Sequence, residues 1–161
     1  MMAMAEQRII NILYLILNDL IDIPILYLSS YIIENKHDYY RLLNQTNKLG
    51  EWEEWIIFML KAVEVTSIQT IEKINTIRAL LDNTIEKVQI NAPKIYKKEL
   101  VELLFEQPYS KIEFVVNRLK VERKAASRYL KELEKIGILE SQKVGRETLY
   151  INKKLIEILK K

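Results

Sequence analysis

The sequence predicts a mainly α-helical protein: a helical bundle with one long helix, followed by a small domain that contains a β-hairpin. Two observations lead to this fold class. Apolar residues recur at steps of three and four along most of residues 9–90, as they do on one face of an α-helix. After Pro93 the segments become short and end in two alternating stretches around a glycine, which is the pattern of a hairpin.

The first segments are predicted to be buried helices of the bundle. Pro24 suits the beginning of the second helix, and Gly50 suits the end of a third helix over His37–Leu49. The apolar positions of the first two helices are Ile9, Ile12, Leu13, Ile16 and Leu17, then Leu26, Leu28, Ile32 and Ile33.

The longest helix is predicted from Glu51 to about Ile90, because neither Gly nor Pro interrupts this stretch. Its second half has a coiled-coil-like seam that Arg78 breaks. Two interpretations follow: the seam packs against the chain's own helices, or it pairs with a partner helix in a homodimer. The residues of this dimer or partner seam are Ile71, Ile74, Leu81 and Ile85.

The domain boundary is predicted at Asn91-Ala92-Pro93, because the residue before a proline resists the helical conformation. It gives a helical body over residues 1–91 and a second domain over residues 92–161. Residues 1–90 hold 8 Lys/Arg and 12 Asp/Glu, a net charge of −4, whereas residues 91–161 hold 17 and 10, a net charge of +7. The basic end favours an anionic partner, nucleic acid first.

The second domain has the element order of a winged helix-turn-helix. Short helices are predicted over Lys94–Phe105, from Ser110 to about Leu119 and over Arg123–Ile136. Ser110 and Glu113 have the spacing of a capping box at the start of the middle helix. A hairpin of Ile138–Lys143 and Thr148–Ile151 and a last helix over Lys153–Leu159 follow.

The helix over Arg123–Ile136 carries the predicted DNA-binding surface. Ala126, Tyr129, Leu130 and Leu133 share its buried face, and a row of cations lies opposite. Arg and Lys read guanine in the major groove, and hairpin cations would reach the flanking phosphates. The predicted DNA-binding residues are Lys124, Ser127, Arg128, Lys131, Lys143 and Arg146.

Composition argues against catalysis and against a membrane or secreted protein. The chain has no Cys, a single histidine, His37, and only three glycines, so no thiolate chemistry or phosphate-cradling loop is expected. We therefore predict neither a metal nor another cofactor. Polar residues interrupt the apolar N-terminal stretch before it reaches membrane-spanning length, which favours a cytoplasmic protein.

Several runs resemble the C-terminal half of Fic (filamentation induced by cyclic AMP) proteins and the winged-helix domain that many of them carry. The runs are Arg8–Leu15, Pro24–Ile33, Tyr39–Leu43, Trp52–Ile56, Lys111–Glu113, Ala126–Leu133 and Val144–Asn152. At the turn before the predicted recognition helix, Lys120 and Glu122 replace the small and hydroxyl residues common in such domains, and Ala125 replaces a frequent threonine.

The resemblance implies AMP transfer from ATP only where the loop His-Pro-Phe-x-Asp-Gly-Asn-Gly-Arg is present. That loop would precede Arg8, where this sequence reads Met1–Gln7, so only Arg8 corresponds. We therefore expect a non-enzymatic DNA-binding or regulatory module, either a shortened Fic relative or the non-catalytic part of one. The alternative is a protein-interaction or homodimerisation module of a Fic-type AMP transferase that does not bind DNA.

Overall fold

The computed structural model describes residues 13–14, 16–20 and 27–160. The predicted mainly α fold is confirmed, with a small antiparallel sheet near the C-terminus. Most of the predicted first helix, together with Pro24 and Leu26, lies outside the described residues. The chain divides into two compact units, Met1–Glu72 and Lys73–Lys161.

From residue 27 onward in the N-terminal unit, the helices α1 (Leu28–Glu34) and α2 (Lys36–Leu49) precede the long one. Helix α2 ends at Gly50, whose φ of 70° is the left-handed conformation that glycine adopts without steric cost. The Thr46 hydroxyl donates to the carbonyl oxygens of Leu42 and Glu51, 3.0 Å away in each case. Among the described residues, the core cluster of this unit has Ile32, Tyr39, Leu42 and Trp55 as its buried members.

Helix α3 (Glu53–Asn91) is the predicted long helix, and its 39 residues correspond to about 58 Å of axial length. It ends where predicted, because Ala92, immediately before Pro93, has an extended φ of −144°. The division between the units lies inside this helix, whereas the boundary predicted at residues 91 and 92 coincides with its end. Leu81, Ile85 and Val88 of α3 pack in the C-terminal core.

The C-terminal unit continues with a 3-10 turn at Pro93–Ile95 and the helix α4 (Lys98–Glu106), where a single helix was predicted over Lys94–Phe105. The further elements are β1 (Tyr109–Ser110), α5 (Ile112–Leu119), α6 (Arg123–Lys135), β2 (Glu140–Val144), β3 (Glu147–Ile151) and α7 (Lys153–Lys160). The core of this unit collects apolar side chains from all of its helices except α7, the loop residue Leu139, and Tyr150 of the sheet.

The sheet has three antiparallel strands in the order β1-β3-β2, so the predicted hairpin gains a third strand. Tyr109 pairs with Ile151 and Ser110 with Tyr150. The sequence prediction missed β1 because two residues are too short to show a period of two. The hairpin turn is also tighter than predicted: Val144 pairs with Glu147, which leaves only Gly145 and Arg146 in the loop.

Buried Asn152 connects the sheet to α7, a role that sequence reasoning did not assign. Its backbone N–H donates to the Pro108 carbonyl at 3.0 Å, and its side-chain oxygen accepts from the Leu155 amide at 3.2 Å. The second bond is the N-cap of α7, where asparagine is among the favoured residues. An Asn immediately before an amphipathic segment is a signal that could have identified it.

Candidate nucleic-acid interface

Helix α6 separates an apolar face from a cationic one, as the sequence predicted. Its apolar face is fully packed, with Ala126, Tyr129, Leu130 and Leu133 buried. The cationic stripe, as we call the opposite row, is exposed, and Ser127 beside it is half-buried. The cationic stripe consists of Lys124, Arg128, Lys131 and Lys135.

No member of the cationic stripe has a carboxylate within ion-pair distance among the residues that the structure describes. Arg128 lies with its guanidinium 5.7 Å from the ring centroid of Tyr129, a distance at which a cation is attracted to the π face. Its charge is not neutralised by this contact. The stripe therefore presents four positive charges on about three turns of helix.

Of the acidic residues near the stripe, Glu134 has a hydrogen-bond partner within the unit, whereas Glu122 makes no side-chain cap bond. The Glu134 carboxylate accepts a hydrogen bond from the Ser141 backbone N–H at 3.0 Å, which fastens α6 to β2. Hydrogen bonding to the Ser141 side chain and to its backbone N–H, with the nearby Lys131 charge, holds the pKa of Glu134 below its ordinary value. Glu122 is the N-cap residue of α6 but makes no side-chain cap bond, so its carboxylate is exposed beside the first turn.

Lys143 and Arg146 lie on the hairpin, and both are exposed. Gly145 has a φ of 60°, while Arg146 is not among the residues with positive φ. A two-residue loop with positive φ at its first position only is a type II′ turn, which suits the right-handed twist of the flanking strands. The turn therefore holds the Arg146 backbone at the tip of the hairpin.

Glu147, the acidic residue that follows Arg146, has a cationic partner. Its carboxylate lies 2.5 Å from the Lys111 Nζ, which joins the base of the turn to the start of α5. This hydrogen bond raises the pKa of the Lys111 ammonium, which therefore stays charged at neutral pH. The pair cancels one negative charge next to Arg146.

The predicted capping box at Ser110 and Glu113 is wrong. Ser110 is paired with Tyr150 in the sheet, and α5 begins two residues later with Lys111 as its N-cap residue. Pairing of Ser110 in the sheet is favoured over the capping box, because it gives hydrogen bonds to backbone groups that would otherwise be buried without partners. The Ser110 hydroxyl is buried and has no hydrogen-bond partner among the residues that the structure describes, so it is not placed to contact a phosphate.

The structure splits the four residues predicted as a partner seam on α3. Leu81 and Ile85 pack against the core of the C-terminal unit. Ile71 and Ile74 remain 58% and 43% exposed. Only the second pair is available to a partner.

In the described part of the chain, no group of three or more His, Cys, Asp or Glu side chains is arranged to hold a metal ion. His37, the only histidine of the sequence, is 3.9 Å from the Asp38 carboxylate and almost fully exposed. None of the helices described has both the length and the apolar character needed to cross a membrane.

Residues 80–155 match the family model described as "Protein adenylyltransferase SoFic-like, C-terminal domain". This region is similar to a Fic-type C-terminal domain. The match begins in α3 and ends in α7, so it contains the cationic stripe, the hairpin and the whole sheet. It supports the part of the predicted resemblance that lies in the C-terminal unit, including Lys111–Glu113, Ala126–Leu133 and Val144–Asn152.

Proposed function

We propose that the C-terminal unit is a winged helix-turn-helix that binds double-stranded DNA, with α6 as its recognition helix and the β2–β3 hairpin as its wing. The observation that carries this proposal is the cationic stripe: four exposed cations without carboxylate partners, opposite a completely buried face. A solvated helix face usually mixes both signs of charge, whereas this one concentrates a single sign on the element that a helix-turn-helix presents to DNA.

The order of the elements supports the same assignment. A helix, a short strand, two further helices and a hairpin follow one another, and the strand closes the hairpin into a three-stranded sheet. In a helix-turn-helix the second helix of the pair enters the major groove, which is wide enough to admit it. Here that helix is α6, and the turn before it contains Lys120 in the left-handed conformation.

The predicted DNA-binding residues would make two kinds of contact, one with base edges and one with phosphates. Lys124 and Arg128, in the first half of α6, would approach base edges, where Arg or Lys hydrogen-bonds guanine O6 and N7. Ser127, half-buried beside them, would contribute a hydroxyl that can hydrogen-bond to more than one kind of base. Lys131 in α6 and Lys143 and Arg146 in the wing would contact phosphates, which position the protein without reading sequence.

We further propose that this chain acts without AMP transfer. The matched model bears the name of an adenylyltransferase but concerns its C-terminal domain. The sequence contains one histidine, His37, followed by Asp38, so it has no His-Pro-Phe motif to supply the general base of that reaction. We propose a regulatory role for the module, which fits a DNA-binding domain on a helical body.

Fluorescence anisotropy with a labelled random-sequence duplex tests the proposal. We expect salt-sensitive binding, because each phosphate neutralised releases about one counterion and steepens the dependence on salt. Reversing two stripe charges in the double variant Lys124→Glu/Arg128→Glu should weaken binding by about 100-fold or more at low salt. The salt slope should also become shallower.

The matched control is Lys36→Glu/Lys48→Glu, which makes the same change in net charge at exposed sites of the N-terminal unit. It should bind DNA within about threefold of the unmodified chain. No binding at low salt, or equal losses in both double variants, would refute DNA binding by α6. That result would favour the alternative, a module that docks another protein or a second copy.

A further inference from the structure

We propose that the N-terminal half of α3 is a self-association surface that pairs two copies of this chain with their α3 helices antiparallel. The surface, called here the α3 patch, comprises Ile57, Lys61, Glu64 and Ile68. At 100° per residue these four side chains fall within about 60° of one another on the helix. This proposal does not depend on DNA binding.

The α3 patch is uncovered in the described part of the chain. Ile57 and Ile68 are 57% and 52% exposed, and Lys61 and Glu64 are exposed as well. The side of the helix away from it is the packed one, since Trp55, Ala62 and Thr66 are buried. Two more exposed apolar residues border the patch on one edge, namely Leu60 and Ile71.

The spacing within the patch is the same in both directions along the chain. Successive members are four, three and four residues apart, with an isoleucine at each end and opposite charges in the middle. When a second copy runs antiparallel, each Ile57 therefore faces the partner's Ile68, and each Lys61 faces the partner's Glu64. Two-fold symmetry makes every contact occur twice.

Charge complementarity favours a second copy of this chain as the partner, and it favours the antiparallel orientation. A parallel pairing in register would place Lys61 opposite a second Lys61 and Glu64 opposite a second Glu64, which is repulsive. Within one copy, Lys61 and Glu64 are three residues apart, yet the described residues offer neither side chain an ion-pair partner. A lysine that precedes a glutamate is also the less favourable order on a helix. The second copy supplies both missing partners.

Sedimentation velocity of the full chain over a range of concentrations tests the proposal. The patch is smaller than a standard interface of about 1,600 Å², so we expect a dissociation constant on the order of 10–100 µM. Lys61→Glu and Glu64→Lys should each weaken the dimer by at least about tenfold, because each places two like-charged pairs in the interface. The double variant Lys61→Glu/Glu64→Lys should recover the original affinity to within about threefold, because it restores both pairs in reverse.

The double variant has the composition and net charge of the unmodified chain, so its recovery separates specific pairing from a general charge effect. Gln69→Glu is the positional control, because Gln69 is exposed on the same helix about 110° away from the centre of the patch. It should leave the affinity unchanged. Far-UV circular dichroism confirms that each variant is folded.

The apolar part of the surface has its own variant, Ile57→Ser/Ile68→Ser, which should weaken association by more than about tenfold. The proposal is overturned if the unmodified chain stays monomeric at about 300 µM, several times the expected dissociation constant. It is also overturned if the charge-exchanged double variant fails to recover, or if Gln69→Glu weakens the dimer as much as Lys61→Glu does.

Discussion

The two units of this protein bury their apolar side chains to different degrees. Among the described residues, 14 large hydrophobic side chains up to Ile71 are exposed, whereas only five are exposed from Ile74 onward. Among the described residues, the core cluster of the N-terminal unit has four buried members and that of the C-terminal unit has 14. The apolar side chains that stay exposed on the N-terminal unit give it more to gain from a partner.

The largest expected effect is on stability, and it differs between the units. Leu130→Ala should lower the free energy of unfolding by about 3–4 kcal/mol, because the side chain is completely buried and its loss leaves a cavity in the core. Leu42→Ala in the smaller N-terminal core should cost about 2 kcal/mol, because fewer neighbours surround the cavity. Urea unfolding followed by circular dichroism measures both changes.

Both tryptophans, Trp52 and Trp55, lie in the N-terminal unit, so their fluorescence reports on that unit alone. Leu130→Ala should shift the circular dichroism transition more than the fluorescence transition, and Leu42→Ala should do the reverse. Exposed Leu60→Ala is the control and should change stability by less than about 0.5 kcal/mol. If Leu42→Ala costs as much as Leu130→Ala, the contrast between the two cores fails.

An intermediate effect is expected at two glycines, one in each unit. Gly50 and Gly145 both have positive φ, and a Cβ at either would meet nothing within 4 Å. Alanine at each site should therefore cost about 1–2 kcal/mol through backbone strain alone. Thermal unfolding would show similar losses for the two variants.

The same pair of variants separates structure from function. Gly145→Ala should also weaken DNA binding, because it disturbs the turn that positions Arg146, whereas Gly50→Ala should not. Gly50→Asn should be milder, since asparagine tolerates the left-handed conformation at the end of a helix. Equal DNA affinity in the two alanine variants would count against a role for the wing.

The smallest expected effect concerns acid stability of the C-terminal unit. Because hydrogen bonding to the Ser141 side chain and backbone N–H lowers the pKa of Glu134, the carboxylate stabilises the fold fully above its unfolded-state pKa of 4.5. That contribution disappears as the pH falls through the lower folded-state pKa. The stability difference between the unmodified chain and Glu134→Gln should therefore shrink below about pH 4.5.

Urea titrations at a series of pH values measure this difference, and Glu132→Gln on the same helix is the control. The Glu132 carboxylate has no hydrogen-bond partner in the described residues, so its variant lacks this specific contribution. An unchanged difference for Glu134→Gln down to about pH 3 would contradict the role of the hydrogen bond.

Periodicity was sufficient to predict the helices that the structure describes, and it predicted the buried and exposed faces of α6 residue by residue. It could not predict β1, whose two residues are fixed by pairing with a strand 40 residues later. The same long-range pairing overrode the local capping pattern at Ser110. The Lys111–Glu147 ion pair could not be predicted from the sequence for the same reason, since its residues are 36 positions apart.

In the candidate interface, the positions of the cationic stripe could be predicted, but the partners of the nearby acidic residues could not. The structure gives the acidic residues Glu134 and Glu147 a partner each within the unit, which the sequence alone does not show. On α3, the apolar spacing does not distinguish Leu81, which packs in the core, from Ile71, which does not. That distinction depends on which other segments cover the helix.

The two-residue turn at Gly145 and Arg146 also limits how this hairpin can change in length. One extra residue in either strand would force a bulge, so regular growth must add complete cross-strand pairs. One added pair would extend each strand by about 3.4 Å and direct the tip side chains to the opposite face. Two pairs would return Arg146 to its present face, about 7 Å farther out. Insertions of four residues are therefore the shortest that lengthen the hairpin and preserve the direction of its arginine.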